Sequence, residues 1–395
     1  MSETVLVVNS GSSSIKYQLI DSQADAAIAG GLVERIGEEQ SRLEHTHGDT
    51  TTEHIEPVPD HRHGMDRVLA AFDQVGPRLH DAGVVAVGHR VVMGGRAFDG
   101  PTRIDDEVIA TIDRLAPLAP LHNPPNLTAI RVGTELLPDI PHVAVFDTAF
   151  FHHLPAAAAT YAIDREIADA HDIRRFGFHG TSHQYVSART AELLERDRSG
   201  LRQIVLHLGN GASASAIVGG TAVETSMGMT PLEGLVMGTR SGDIDPAVVL
   251  HLARNAAMDI DELDDLLNQR SGMLGLTGRT DMREVHELIA RGDPSARLGL
   301  DVYVHRLKKY IGAYAAVMGG LDTLSFTAGV GEHDAVVRAE ATAGLGHLGI
   351  EIDPGRNERR SDRARLISPD GSAVAVMVVP TDEELAIARQ AMSIL

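Results

Sequence analysis

The chain has 395 residues, enough for two domains of ordinary size, with 43% hydrophobic and 23% charged residues. Its formal net charge of −20 leaves no diffuse basic field for nucleic acid or an anionic membrane, so any anion must be met by cations concentrated in a site. There are no cysteines, which excludes disulfides, thiolate nucleophiles and cysteine–zinc centres. No apolar run reaches the roughly 18–20 residues of a membrane helix, and the N-terminus lacks the basic region of a signal peptide. The expectation is a cytoplasmic protein.

The chain opens on an apolar strand, Val5-Leu6-Val7-Val8, followed by Asn9-Ser10-Gly11-Ser12-Ser13-Ser14-Ile15-Lys16. Residues Gly30 to Ile36 continue as a hairpin, and 41–63, rich in His, Thr and Glu, read as exposed strands or loops. A helix pattern covers Arg67 to Leu79, and Val84 to Val87 read as a buried strand leading into Gly88-His89-Arg90-Val91-Val92-Met93. After a proline-rich stretch, Leu121-His122-Asn123-Pro124-Pro125-Asn126, a helix runs to Leu137. The strand His142 to Phe146 then ends at Asp147-Thr148.

The second half carries Phe176-Gly177-Phe178-His179-Gly180-Thr181-Ser182-His183 and a helix to Arg196. Next come Ile204-Val205-Leu206-His207-Leu208-Gly209-Asn210-Gly211-Ala212-Ser213. Helices fit 245–256, 261–269 and 295–318. Strands fit Thr323 to Thr327 and Val374 to Val379, and Pro380-Thr381-Asp382-Glu383-Glu384 opens a final helix with an N-cap and an acidic first turn. The alternation of strands and helices indicates α/β architecture.

The two glycine-rich loops carry the strongest functional signal. Each follows an apolar strand and precedes a second one, so each is a strand, tight turn, strand unit. Such turns crowd backbone N–H groups, and glycine admits a phosphate close to the backbone. Two copies half a chain apart point to a duplicated fold that holds a polyphosphate between its halves. Lys16 is the only lysine near either loop; the others are Lys308 and Lys309.

Other nucleotide motifs fail. There is no Gly-x-x-x-x-Gly-Lys-Ser/Thr and no protein-kinase set. Gly209-Asn210-Gly211 is followed by a strand pattern instead of the helix a dinucleotide fingerprint needs, and no buried strand precedes Gly344-x-Gly346-x-x-Gly349. His179 and His183 have the i, i+4 spacing of paired metal ligands, but no nearby carboxylate completes a zinc set.

Together these motifs resemble the acetokinase family, of the acetate and sugar kinase/heat-shock/actin superfamily, over nearly the whole chain. Met237-Gly238-Thr239-Arg240-Ser241-Gly242-Asp243, Asp281-Met282-Arg283 and the Pro380 to Leu385 motif add to the likeness. The resemblance implies an α/β fold of duplicated ribonuclease-H-like (actin-like ATPase) domains around a nucleotide cleft. One domain would comprise residues 1–149 with the C-terminal helix 381–395, on the acetate side. The other would comprise 150–380, on the nucleotide side. It further implies a homodimer and reversible transfer of a phosphoryl group from ATP to acetate, giving ADP and acetyl phosphate, with Mg2+ or substituting Mn2+. No nucleic acid or membrane partner is implied.

Carboxylate is ionised at neutral pH, so the nucleophile needs no base, and catalysis reduces to positioning and charge stabilisation. By resemblance, Arg90 holds the acetate carboxylate and Arg240 the transferring phosphoryl group, both through a planar fork of donors. His179 bonds the equatorial oxygens in the transition state, and His122 and Asp147 line the same site. Val92, Leu121, Phe178 and Pro231 form the pocket for the acetate methyl. Ser12 and Lys16 contact phosphate from the first loop. His207, Leu208, Gly209, Asn210 and Gly211 do so from the second. Asp281, Met282, Arg283, Gly329, Val330, Gly331, Glu332 and His333 belong to the nucleoside site, and Asn9 and Glu383 stand on the metal side. Two positions depart from the family pattern: His333 replaces the usual asparagine, and Met93 stands where many members have histidine. Two rivals share the scaffold: a propionate or other short-chain acyl kinase, and a non-metabolic actin- or heat-shock-type ATPase. The second is disfavoured because no substrate-binding segment follows residue 395.

Overall fold

The strand Thr4–Ser10 (β1) is apolar and buried almost throughout, as a strand with both faces covered must be. In the computed structural model, which describes residues 3–11 and 13–395, it is the middle of an eight-stranded sheet. The others are β2 (Ser14–Asp21), β3 (Ala26–Glu34), β4 (Ser41–His47), β5 (Thr50–Glu56), β6 (Val84–Val91), β7 (Thr102–Arg103) and β8 (His142–Phe146). Their order is β5-β4-β3-β2-β1-β6-β8-β7. The pairs β1–β2 and β2–β3 are antiparallel, whereas β6 and β8 follow β1 in parallel. A six-stranded sheet holds β9 (Arg202–Leu208), β10 (Ala212–Val218), β11 (Thr221–Thr225), β12 (Thr323–Thr327), β13 (Arg365–Leu366) and β14 (Ala375–Val378). Its order is β11-β10-β9-β12-β14-β13. Here too the first three strands form an antiparallel meander and the next two run parallel to the first. Even the antiparallel edge strand recurs, β7 on β8 and β13 on β14. The duplication therefore extends from the two loops to whole sheets, with β4 and β5 added to the first.

The chain divides into a unit of residues 1–152 with 382–395 and a unit of residues 153–381. In the first, the helix Asn123–Leu136 packs against β1 and β6, and the C-terminal helix Glu383–Met392 packs against β1, β2, β6 and β8. The second contact is close: a Cβ at Gly88 would lie 2.8 Å from Ile387 Cγ2. In the second unit, Gly180–Leu193 packs on β9 and β12, and the 24-residue helix Pro294–Val317 on β9 and β10.

Three differences from the sequence reading have physical causes. The first helix begins at His61, not Arg67, because Asp60 caps it by accepting the His63 N–H at 2.9 Å. The helix Asp106–Arg114 escaped the apolar pattern because only Val108 and Ile112 are buried; Asp105 caps it. The segment 41–63 is not uniformly exposed: Ser41, Leu43 and His45 are buried. The His45 Nε2–H donates to the Gly76 carbonyl at 3.0 Å, and its Nδ1 accepts from the Tyr17 hydroxyl at 2.8 Å.

A buried histidine pair joins β6 and β8. His142 donates from Nε2 to the Leu137 carbonyl at 3.1 Å, so its Nδ1 accepts from His89 Nε2–H at 2.9 Å. His89 Nδ1 is buried and has no hydrogen-bond partner among the described residues, so a proton added there would be an uncompensated buried charge. Burial pushes the pKa of His45, His89, His142 and His183 down, with a neighbouring histidine adding to the effect at all but His142. His286 runs the other way, raised by its bond to Asp334. A depressed folded-state histidine binds fewer protons than the unfolded chain below about pH 6.5, so stability falls as pH drops through that value. Four depressed groups outweigh one raised. Tm should therefore fall between about pH 7 and pH 5.5, above the range where carboxylates titrate. A flat or rising Tm in thermal scans over that interval would refute the argument.

Candidate active site

In the first unit, three parallel strands end side by side. Asn9 lies at the end of β1, Arg90 near the end of β6 and Asp147 just past β8. The register aligns Val8 with His89 and Arg90 with Val145. The C-terminal edge of parallel strands is where α/β sites form. Arg90 Nε donates to Asp147 Oδ1 at 3.0 Å and Nη2 donates to Oδ2 at 2.7 Å. This bidentate pair leaves Nη1 facing Asn9 Oδ1 at 3.4 Å and Glu383 Oε2 at 3.6 Å. Burial disfavours the guanidinium charge, but Asp147 and Glu383 outweigh it and raise the Arg90 pKa. Asp147 thus fixes the plane of Arg90.

The loops carrying these groups are tied by two asparagines. Asn126 accepts from Val92 N–H at 3.1 Å and donates to the Ser10 carbonyl at 2.6 Å. Asn123 accepts from the Met93 N–H and donates to the Met93 carbonyl. Neither was singled out from sequence, although their i, i+3 spacing at a helix start beside Pro124 and Pro125 was a usable signal. Val92 is buried and is the first residue beyond β6; Leu121 is 50% exposed, and His122 is the N-cap of the helix Asn123–Leu136. Lys16 forms an ion pair of 2.9 Å with the buried Glu384. Ser12 lies outside the described residues.

The second unit gathers the other charged and neutral donors. The loop after β9 is a three-residue turn, with Leu208 opposite Ala212 in the register. Gly211 leaves room there: a Cβ would stand 2.7 Å from Arg240 Nη2 and 3.4 Å from His179 Nε2. Arg240 and His179 therefore converge on one turn. Arg240 donates from Nη1 to the Pro231 carbonyl at 2.7 Å, and burial lowers its pKa with no carboxylate opposing. A desolvated guanidinium without a carboxylate partner is set up for an incoming anion. Its loop is pinned by Asp243, which accepts from Gly234 N–H at 2.9 Å and the Tyr310 hydroxyl at 2.9 Å.

His179 takes a left-handed conformation, φ 56°, at the N-cap of the helix Gly180–Leu193. Its ring stacks on His207, with centroids 4.3 Å apart, and His207 Nδ1 bonds Ser182 Oγ at 2.8 Å. His183, weighed from sequence as a metal ligand, is fully buried between Ser213 and Ser215. Phe178 is buried, and Pro231 serves Arg240 through its carbonyl.

A cavity of about 880 Å³ in this unit is lined by Gly209, Asn210, Asp281, Met282, Arg283, Gly329, Val330, Glu332 and His333. It thus collects most of the residues expected for the nucleotide; His207, Leu208 and Gly211 are not among its walls, and Gly331 is buried behind it. Asp281 caps the helix Met282–Ala290 and pairs with Arg283. Glu332 accepts from Ala328 N–H at 2.8 Å and Thr381 N–H at 3.2 Å, which shapes the turn after β12. Among the wall residues that sequence reasoning missed are His286, Tyr303 and Arg338. The Arg338 guanidinium donates to the carbonyls of Gly331, Glu332 and Asn357, and burial pushes its pKa down to about 10.

For a metal, no cluster of three or more His, Asp or Glu side chains with suitable geometry occurs among the described residues. Asn9 Oδ1 and Glu383 Oε2 both face one nitrogen of Arg90. Two hard oxygen donors so placed fit an ion such as Mg2+, which keeps most of its water and is completed by phosphate. Among the described residues no helix is long and apolar enough to cross a membrane.

A profile of the acetokinase family matches residues 4–389. Acetate kinase of Leifsonia xyli subsp. xyli (strain CTCB07) is 60% identical to this chain over 98% of each. Among solved structures, Porphyromonas gingivalis acetate kinase is 42% identical over 99% of both chains, with a TM-score of 0.94. A propionate kinase from Francisella tularensis subsp. tularensis SCHU S4 is 38% identical over 100% of both, with a TM-score of 0.93. With the match running through both units and every motif of the site, the chain belongs to the acetokinase family.

Proposed function

We propose that the chain catalyses reversible, magnesium-dependent phosphoryl transfer from ATP to acetate, giving ADP and acetyl phosphate by direct in-line attack of the carboxylate. The observation that carries this reading is Arg240: a buried guanidinium without a carboxylate partner among the described residues, beside His179 at the Gly211 turn. Arg90, its plane set by Asp147, orients the acetate carboxylate through Nη1. Asn210 and the cavity walls take the nucleotide. Arg240 and His179 donate to the phosphoryl oxygens as charge moves across them. Asn9 and Glu383 would hold the magnesium ion through water, and the ion would neutralise charge on the phosphates.

A second reading, transfer to propionate, is favoured by one observation: a propionate kinase shares the scaffold at a TM-score of 0.93. Buried Val92, held by Asn126 two residues beyond Arg90, is placed to bound the acyl chain. One methylene is worth about 1–3 kcal/mol in an apolar pocket, so acetate should exceed propionate by about 10–200-fold in kcat/KM, with butyrate largely refused. Val92→Ala should shift the propionate-to-acetate ratio about tenfold toward propionate. An acyl-phosphate assay across formate, acetate, propionate and butyrate decides between the readings; propionate equal to acetate in the wild type would displace the first.

We further propose a cytoplasmic homodimer. Its support is the helix Ala247–Asn255, which buries none of its residues and leaves Val248 and Leu250 exposed, near Ile244 and Ile260 in sequence. Apolar surface of this kind marks an interaction site. A monomeric mass by light scattering at micromolar concentration would refute it.

A further inference from the structure

His183 is not among the residues assigned to substrate, yet it is the centre of a chain of hydrogen bonds. Ser215 Oγ lies 2.7 Å from His183 Nδ1, His183 Nε2 lies 2.7 Å from Ser213 Oγ, and Ser213 Oγ lies 2.9 Å from His179 Nδ1. Ser213, Ser215 and His183 have no exposed surface. We infer that Ser215, His183 and Ser213 form a buried, directed relay that holds His179 as a neutral imidazole with its proton on Nε2, the nitrogen beside Arg240. This rests on the placement of His179 against the transferring phosphoryl group.

The direction follows from counting hydrogens. A buried, neutral His183 has one ring N–H, so it donates to one serine and accepts from the other. If the relay ran inward, from His179 Nδ1–H to Ser213 and on to His183 Nε2, the His183 proton would sit on Nδ1 and point at Ser215. The Ser215 hydroxyl hydrogen would then need another acceptor in a fully buried place, and a buried donor left unmade is costly. Run outward, the Ser215 hydroxyl donates to His183 Nδ1, His183 Nε2–H donates to Ser213, and Ser213 donates to His179 Nδ1. Every hydroxyl and ring hydrogen in the relay is then used. His179 Nδ1 becomes an acceptor, so the neutral ring must carry its proton on Nε2. That proton is the one a phosphoryl oxygen requires; an Nε2 lone pair would repel it. The i, i+4 histidine pair, whose spacing alone would suit two metal ligands, is thus one ring that faces the phosphate and one that sets its tautomer. His183, Ser213 and Ser215 are positioning residues.

The test uses the full chain with isotope-labelled histidine nitrogens, His179 being assigned by its loss in His179→Asn. At about pH 8, above the ordinary histidine value, the wild-type His179 spectrum should show a protonated Nε2 and a bare Nδ1. In Ser213→Ala, His179 should become a mixture of tautomers. Its kcat should fall about 10–100-fold, short of the loss of a donor outright, while the KM values for acetate and ATP change less than about threefold. Ser213→Thr, which keeps the hydroxyl, should restore both the tautomer and kcat. Should Ser213→Ala not fold, Ser215→Ala takes its place and should loosen the tautomer in the same way. A wild-type His179 protonated on Nδ1, or a soluble Ser213→Ala enzyme with wild-type kcat, overturns the relay. Full kcat in His179→Ala would instead overturn the placement of His179 at the phosphoryl group, and the tautomer measurement would still stand alone.

Discussion

Arg240→Ala should lower kcat by about 10²–10³-fold or more while leaving the fold intact. The size follows from removing a preformed donor aimed at charge that develops during transfer. The stability part follows from what Arg240 lacks. It donates to the Pro231 carbonyl, and its pKa is lowered by burial alone, with no carboxylate holding it up. A desolvated cation of this kind is a cost to the free protein, accepted for function. Alanine removes that cost, so the Tm of the ligand-free variant should equal or exceed that of the wild type. Magnesium–ATP, which supplies the missing anion, should raise the wild-type Tm more than the variant's. Arg240→Lys should not restore kcat, because a point charge cannot reproduce a planar fork held between Pro231 and the Gly211 turn. Steady-state kinetics and thermal scans with and without nucleotide check all three. A variant within a few-fold of wild-type kcat would remove Arg240 from the reaction.

Much of this arrangement was legible in the chain because it is written in local patterns. The turn at Gly209 to Gly211 was readable since glycines between apolar strands have few other uses, and the equivalent turn at Gly11 identified the duplication. The strand ends at Asn9 and Asp147 could be placed because buried parallel strands are continuous apolar runs that stop at polar residues, whereas β6 runs four residues past the apolar run Val84 to Val87, through Gly88, His89 and Arg90 to Val91. What escaped were groups whose role depends on partners distant in sequence. Asn126 reaches Ser10 across 116 positions, and Arg338 is an ordinary helix residue until the fold brings Asn357 and the Gly331 carbonyl around it. Lys16 has a partner that its nearness to a glycine-rich loop does not announce: at the start of β2 it pairs across to Glu384 on the C-terminal helix. Leu121, placed in the acyl pocket by its motif, has a half-exposed side chain. The i, i+4 spacing of His179 and His183 was seen correctly, but spacing alone cannot distinguish two metal ligands from a ring and its hydrogen-bond support.

Arg90→Ala should produce two losses with separate origins, and their separation is the sharper test of the acetate site. The first is binding and turnover: Nη1 no longer meets the carboxylate, so the acetate KM should rise and kcat/KM fall by at least about 10²-fold. The second is stability. Asp147 is 1% exposed, and Arg90 supplies two of its hydrogen bonds, at 3.0 and 2.7 Å. Removing the arginine strands a buried carboxylate, a change that costs about 3–5 kcal/mol. The variant should therefore unfold at lower denaturant than wild type. Adding Asp147→Asn to Arg90→Ala removes the stranded charge while keeping the side-chain shape. That double variant should recover most of the stability and none of the kcat/KM for acetate. Asp147→Asn alone should show the converse weakness: Arg90 keeps Glu383 at 3.6 Å but loses the fork that sets its plane, so it can swing toward Glu383. Its acetate KM should rise with a smaller loss of stability than in Arg90→Ala. If the double variant regained acetate kcat/KM along with stability, Arg90 would be a structural partner of Asp147 and the acetate carboxylate would have to be held elsewhere.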